Sequence, residues 1–296
     1  MTKNFGRHVT VESIINELDH NGYVADEELA TLLFLLLKSG KPLLVEGHPG
    51  VGKTELAYAL AAILGTKLIR LQCYEGLDIN NAVYEWNYQK QLLSIKIQET
   101  ANASAAEKEK QIFGPDYLLK RPLLESITCE DKSPVLLIDE IDRADEEFEA
   151  YLLELLSAFQ ITIPEMGTIK AKHKPFVILT SNRTRELSDA LKRRCLFHWI
   201  DYPHLEREVY IVKKRLPDIE EALARRVVGI VQQLRRKTLA KTPGVAETID
   251  WAASLIALGY KTVEQKELLQ TMGCILKSAE DIARLKEEYM EELVSA

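Results

Sequence analysis

Residues 47–54 read Gly47-His48-Pro49-Gly50-Val51-Gly52-Lys53-Thr54, a complete G-x-x-x-x-G-K-T pattern. The apolar run Pro42-Leu43-Leu44-Val45 precedes it, as a buried strand would. A helical pattern follows from Thr54, with Leu56, Ala57, Leu60 and Leu64 on one face. Strand, glycine loop and helix in that order confine the chain to a narrow set of α/β folds, because each part does chemical work. The glycines let the backbone bend so that several N–H groups converge on phosphate oxygens. The helix adds the positive end of its dipole, Lys53 reaches the β- and γ-phosphates, and Thr54 ligates Mg²⁺. Gly47, His48, Pro49, Gly50, Val51, Gly52, Lys53, Thr54 and Glu55 are therefore the expected contacts of a bound nucleoside triphosphate.

The chain has 296 residues, enough for roughly two domains with a core in each. Its formal net charge of -7 argues against a general nucleic-acid surface, which clustered Lys and Arg would make positive. Cys73, Cys129, Cys195 and Cys274 are scattered, with no C-x-x-C and no His spacing suited to zinc, so a reducing, cytoplasmic setting is expected. Met1 to Phe5 lead into no signal-peptide apolar core. The longest apolar run, Leu29 to Leu37, is about half a membrane span. It reads as a buried helix, with Asp26, Glu27 and Glu28 at its first turn and Gly40 just past its end.

Further short apolar runs, Pro134 to Ile138 and Phe176 to Leu179, are candidate core strands beside Pro42 to Val45. Amphipathic helices between such runs indicate a parallel sheet covered on both faces. Leu68 to Leu71 and Leu196 to Ile200 would extend it. Hairpins are expected at 160–171, around the turn Pro164-Glu165-Met166-Gly167, and at 82–97, centred on Glu85 to Lys96. Glu99 to Lys110 reads as an exposed helix or mobile loop. Beyond residue 204 strand signals end and helical periodicity takes over. Thr242 before Pro243 resembles an N-cap, and Thr262 to Gln265 and Ser278 to Asp281 resemble capping boxes. The expected domains are 1–204, α/β and nucleotide-binding, and 205–296, small and all-helical.

Three further motifs narrow the chemistry. Pro134 to Ile138 runs into Asp139 and Glu140, where Asp139 can orient the Mg²⁺ shell and Glu140 can polarise an attacking water. Leu179-Thr180-Ser181-Asn182 is a strand ending in polar residues, and Asn182 could stand between γ-phosphate and water. Leu191-Lys192-Arg193-Arg194 sets two arginines before a strand, suited to reach across a subunit boundary to a neighbour's phosphate. An Asn-Lys-x-Asp guanine-reading motif is absent, which favours ATP.

Together, Gly47 to Thr54, Leu136 to Ala144, Thr180 to Arg183 and Leu187 to Arg194 resemble the AAA+ ATPases, and more narrowly the MoxR branch. Gly22 to Ala30, Tyr84 to Gln89, Phe159 to Glu165 and Val245 to Trp251 are similar to its CoxD-like subset. The resemblance implies a P-loop αβα sandwich with a parallel sheet followed by a small all-α lid. It also implies a self-assembled ring, commonly a hexamer, with ATP between subunits and no membrane span. Tyr23 and Val24 would lie near the adenine, the hairpins near the pore or client face, and Arg194 would act on the neighbouring subunit with Arg193 more structural. MoxR proteins are thought to be chaperones that mature metal- or cofactor-containing enzymes, often beside a von Willebrand factor A domain partner. CoxD-like members are linked to the metal site of molybdenum hydroxylases. One departure stands out: at Pro243-Gly244-Val245-Ala246-Glu247 many relatives place a lid arginine, and this chain has none, leaving Lys241 or Arg225 as replacements. Two other functions compete, an AAA+ motor on nucleic acid and a non-hydrolysing nucleotide-gated scaffold. The acidic balance opposes the first, and the intact set Lys53, Asp139, Glu140, Asn182 and Arg194 opposes the second.

Overall fold

The computed structural model describes residues 9–98 and 112–295. Met1 to Phe5 and Glu99 to Lys110 lie outside the described residues. In chain order the strands are β1 (Leu43–Gly47), β2 (Leu68–Gln72), β3 (Tyr84–Trp86), β4 (Leu118–Lys120), β5 (Val135–Asp139), β6 (Gln160–Ile163), β7 (Gly167–Lys170), β8 (Phe176–Ser181) and β9 (Leu196–Ile200). The longer helices are α1 (Val11–His20), α2 (Glu27–Ser39), α3 (Lys53–Leu64), α4 (Tyr88–Gln98), α5 (Pro122–Ile127) and α6 (Glu146–Ala158). They continue with α7 (Leu205–Arg215), α8 (Glu221–Arg235), α9 (Val245–Ala257) and α10 (Gln265–Thr271).

The uninterrupted apolar runs become strands covered on both faces, which is why they show no alternation. One sheet takes five of them in the order β2-β5-β8-β1-β9. β1 with β8, β8 with β5, and β5 with β2 all run parallel. The register sets Gln72 beside Asp139 and Glu46 beside Ser181, so polar residues from neighbouring strands meet at one sheet end. In open parallel sheets that carboxyl end is where ligands are handled. Ile69, Leu71, Leu136, Ile138, Phe148, Leu152, Leu155, Val177 and Leu179 fill the core of this unit. α2 begins and ends where its sequence signals lie: the Leu29 N–H donates to Asp26 Oδ1 at 2.8 Å, and Gly40 closes the helix at φ 68°.

β6 and β7 form the hairpin around Pro164 to Gly167, with Thr162 opposite Thr168. The hairpin expected over Glu85 to Lys96 is not formed. β3 pairs antiparallel with the distant β4, and residues 88–98 are helical. No Gly or Pro interrupts Tyr88 to Gln98, and Asn87 starts the helix by accepting the Lys90 N–H at 3.0 Å. Tyr117 Oη donates to Ser94 Oγ at 2.7 Å and Gln91 Nε2 to the Ile112 carbonyl at 2.8 Å, holding α4 in place. The opposite face of α4 leaves Tyr88, Leu92, Leu93 and Ile97 at least 60% exposed. No helix among the described residues is long and apolar enough to cross a membrane.

The second compact unit comprises Leu18–Val24, Gly47–Glu55 and the chain from Trp199 onward. The phosphate-loop sequence falls within this unit. Val212, Leu223, Val227, Val231, Trp251, Leu255 and Leu268 form its core. Inside it lies a charged pair: Arg235 forks onto Glu208 at 2.6 and 2.7 Å, with the two side chains 6% and 0% exposed. Gln232 Nε2 and Thr248 Oγ1 donate to the same carboxylate at 2.6 and 2.8 Å, so its charge is well satisfied. α9 starts two residues later than the Thr242-Pro243 signal suggests. Its N-cap is Gly244, whose N–H donates to Glu247 at 3.0 Å. Likewise α10 is capped by Glu264, not Thr262.

Removing one member of a buried pair strands the other charge, at a cost of about 3–5 kcal/mol. Glu208→Ala should therefore lower the thermal unfolding midpoint by many degrees, whereas Glu221→Ala, half exposed, should leave it nearly unchanged. Parallel thermal melts by circular dichroism would check this.

Candidate functional site

β5 delivers its acids at the carboxyl end of the sheet. Asp139, the last strand residue, is 2% exposed. Its Oδ1 accepts the Thr180 hydroxyl at 2.6 Å from β8, and its Oδ2 accepts Arg70 Nε at 3.0 Å from β2. Glu140 follows at φ 54°, ψ 51°, a left-handed conformation that costs a non-glycine residue about 1–2 kcal/mol. The turn aims its carboxylate away from Asp139. Asn182 Nδ2 donates to Glu140 Oε1 at 3.2 Å, while Gln72 Nε2 and Arg143 Nε both reach Oε2 at 3.0 Å. The Glu140 N–H rests on Thr180 Oγ1 at 2.9 Å. Asp142, 3% exposed, accepts the Asn182 and Thr184 N–H groups at 3.2 and 2.9 Å and so fixes the loop that carries Asn182.

The arginine pair sits next along this loop. Arg185 bonds the Ala144 carbonyl through Nε at 2.9 Å and pairs with buried Glu149 on α6. Glu149 also accepts the Ser188 N–H at 2.9 Å, and Ser188 caps the short helix Asp189–Lys192. Arg193 and Arg194 follow it, both exposed. Arg194 is oriented by Ser157 Oγ and the Ala190 carbonyl, each at 2.7 Å. Structure therefore unites Asp139, Glu140 and Asn182 in one cluster and leaves the two arginines on the surface.

The phosphate loop is described within the helical unit. Lys53 opens α3 and is buried; its Nζ donates to the carbonyls of Gly47 and His48 at 2.8 and 2.6 Å. Gly50 and Gly52 hold φ of 74° and 95°, conformations open mainly to glycine. A Cβ on Gly47 would collide with the Ile200 carbonyl. Tyr23 is buried, and its ring edge comes to 3.7 Å of where a Cβ on Gly52 would stand. The Val24 carbonyl accepts Arg207 at 3.1 Å. Glu55 pairs with Arg215 at 2.9 Å. Pro49, Val51 and Thr54 complete the loop and the first turn of α3, with Thr54 partly exposed. His48 lies parallel to the Tyr202 ring, centroids 4.5 Å apart, with Trp199 edge-on at 5.5 Å. Of the two proposed lid replacements, Arg225 is committed to Glu206 and Glu221 at 2.7 and 3.1 Å.

Taken by itself, the loop fits a polyphosphate: its glycines leave it free of side chains where backbone must approach closely, and its lysine is already among the loop carbonyls. Asp139, in the other unit, is a buried oxygen donor of the kind that suits a hard divalent cation. Sequence reasoning missed Arg70, Gln72, Arg143 and Asp142. Arg70 and Gln72 alternate with apolar Ile69 and Leu71, a period-2 signal that β2 has one polar face, but only register reveals the acids opposite.

Comparison with known proteins shows the family and the fold. The model of the AAA domain (dynein-related subfamily) matches residues 42–195, from the start of β1 to the arginine pair. The gas vesicle ATPase GvpN of Ancylobacter aquaticus is 26% identical over 249 residues, covering 79% of this chain; the chain spans 66% of that relative's length. An uncharacterized protein of Staphylococcus haemolyticus is 27% identical over 245 residues, covering 80% of this chain and 83% of its own. A variant of Thermotoga maritima RuvB, 18% identical, superposes with a TM-score of 0.52 over 90% of this chain and 78% of its own, a likeness of fold.

Burial raises the Glu46 carboxyl above its ordinary 4.5, although Arg183 lies 3.5 Å away. The folded chain thus holds this proton more tightly than the unfolded one, and folding loses stability as pH climbs past the unfolded value. Glu46→Gln should gain stability relative to the native chain as pH is raised from 4.5 to 7. Thermal melts at both pH values decide it; a relative loss at pH 7 would overturn the sign.

Proposed function

We propose, since this chain belongs to the AAA domain family in its dynein-related subfamily, that it is a MoxR-type ATPase coupling ATP hydrolysis to chaperone-like maturation of a client metalloenzyme. The observation that carries the hydrolytic reading is the Glu140 carboxylate, held in a strained turn and gripped from β2 by Gln72 and from the loop after β8 by Asn182. A group fixed this way at the end of a buried strand suits a base that polarises water. Lys53 and the loop N–H groups would grip the phosphates, and Thr54 with Asp139 would hold Mg²⁺, which neutralises charge developing on the phosphates. Asn182 would orient the water. Residues 1–204 would be the nucleotide-binding domain, with Tyr23 and Val24 beside the adenine, and 205–296 the lid.

The exposed and oriented Arg194 supports a ring, since a surface guanidinium held by two hydrogen bonds is suited to a neighbour's phosphate; a hexamer is the ring we expect. By resemblance the client is a metalloenzyme of the molybdenum hydroxylase class, the partner a von Willebrand factor A domain protein, and the compartment the cytoplasm.

Lys53→Ala should abolish tight ATP binding. Glu140→Gln should keep binding and lower turnover by at least ~100-fold. Calorimetry and phosphate release on both variants check the division of labour, and near-normal turnover by Glu140→Gln would sink it.

Arg194→Ala should lose on the order of 10³-fold in turnover. Mixed with Lys53→Ala subunits, it should regain activity that neither parent shows. Mixed rings that form yet stay inactive would remove the arginine from the neighbour's site.

A further inference from the structure

Within the helical unit the phosphate loop touches the start of α9 through bare backbone. The Ala246 N–H donates to the Gly50 carbonyl at 3.0 Å. A Cβ on Gly244 would lie 2.6 Å from the Pro49 carbonyl oxygen and 2.9 Å from Gly50 Cα. A Cβ on Gly50 would lie 3.2 Å from Gly244 Cα and 2.8 Å from a Glu247 oxygen. Gly244 has φ -84° and ψ -177°, which any residue adopts. Glycine is needed there for the contact and not for the turn.

A second connection joins the same two segments. Arg235 lies over the Tyr202 ring at 4.5 Å, and Tyr202 stacks on His48 of the loop. The same guanidinium donates through Nε to the Pro243 carbonyl at 2.8 Å, immediately before Gly244. Its other nitrogens are fixed by Glu208, which also holds Thr248 in the first turn of α9. His48, Tyr202, Arg235, Pro243, Gly244 and Gly50 thus close a ring of contacts.

Lys53 gives the ring a consequence. Its ammonium now bonds the carbonyls of Gly47 and His48. To grip a phosphate it must leave them, which frees those two carbonyls and lets the loop from Gly47 to Gly50 readjust around the ligand. That stretch is the one held by Tyr202, Gly244 and Ala246. We propose that Arg235 is a positioning residue for nucleotide binding, clamping the first turn of α9 to His48-Pro49-Gly50 so that phosphate binding at the loop moves α9 through main-chain contact. The proposal rests on reading 47–54 as a nucleotide site. By linkage, loosening the clamp must change nucleotide affinity by the same factor that nucleotide changes the clamp.

ADP titration by calorimetry and hydrogen exchange at the amides of residues 245–250 test it. In the native chain ADP should alter exchange there. Gly244→Ala, which wedges the contact apart, should weaken ADP binding about tenfold and abolish that exchange response. Arg235→Lys keeps a cation against Glu208 but loses the fork, and should give an intermediate loss in both readouts. Gly229→Ala, in the same unit with nothing within 4 Å of the added Cβ, should change neither. Native-like ADP affinity in folded Gly244→Ala or Arg235→Lys overturns the proposal. So does ADP binding by the native chain with no exchange change at α9. Failure of the native chain to bind ADP at all would instead overturn the nucleotide reading.

Discussion

Asp139 is a carboxylate at the end of a strand whose every position is buried, and much around it answers that one cost. An ionised acid withdrawn from water is tolerated only if its lone pairs are met. β8 therefore carries Thr180 one residue before its end, whose hydroxyl takes one oxygen, and β2 carries Arg70, whose guanidinium takes the other. Thr180 is then placed to accept the next peptide N–H, which fixes the turn at Glu140. The parallel register makes this possible, because three strands end together and their last residues share one small space.

The helical unit solves a similar problem differently. Glu208 is fully buried and the Arg235 side chain nearly so, on helices that would pack well with apolar residues instead, so their pairing is weak evidence for stability as such. What the pair provides is direction. The guanidinium's planar fork fixes Tyr202, Pro243 and, through Glu208, Thr248 at defined angles, which greasy side chains of the same volume would not do.

The buried strands β1, β5 and β8 were readable in the sequence because a strand covered on both faces is an unbroken apolar run. The phosphate loop and the Asp139-Glu140 pair were readable because spacing alone defines them. Partners across strands were not: Arg70 and Gln72 precede Asp139 by more than 60 residues, and only register joins them. The segment 85–96 misled because Tyr, Trp and Ile favour strands, whereas the Asn87 cap and the lack of a turn residue decided for helix. Thr242-Pro243 gave a good start signal for α9, displaced by the glycine whose missing side chain lets it meet Gly50. Glu208 and Arg235 look like ordinary charged positions on amphipathic helices, and burial is invisible at that level.

Glu140 stands in a backbone region that glycine occupies freely and asparagine tolerates, yet it is the residue proposed to activate water. Replacing it by glycine would relieve strain while deleting the chemistry. On the proposed reading, mutation at this position drifts toward sturdier, inert protein unless selection for turnover holds the acid in place. An inactive copy of this chain, freed of that selection, should lose its glutamate early, which makes residue 140 a marker for telling working paralogues from retired ones.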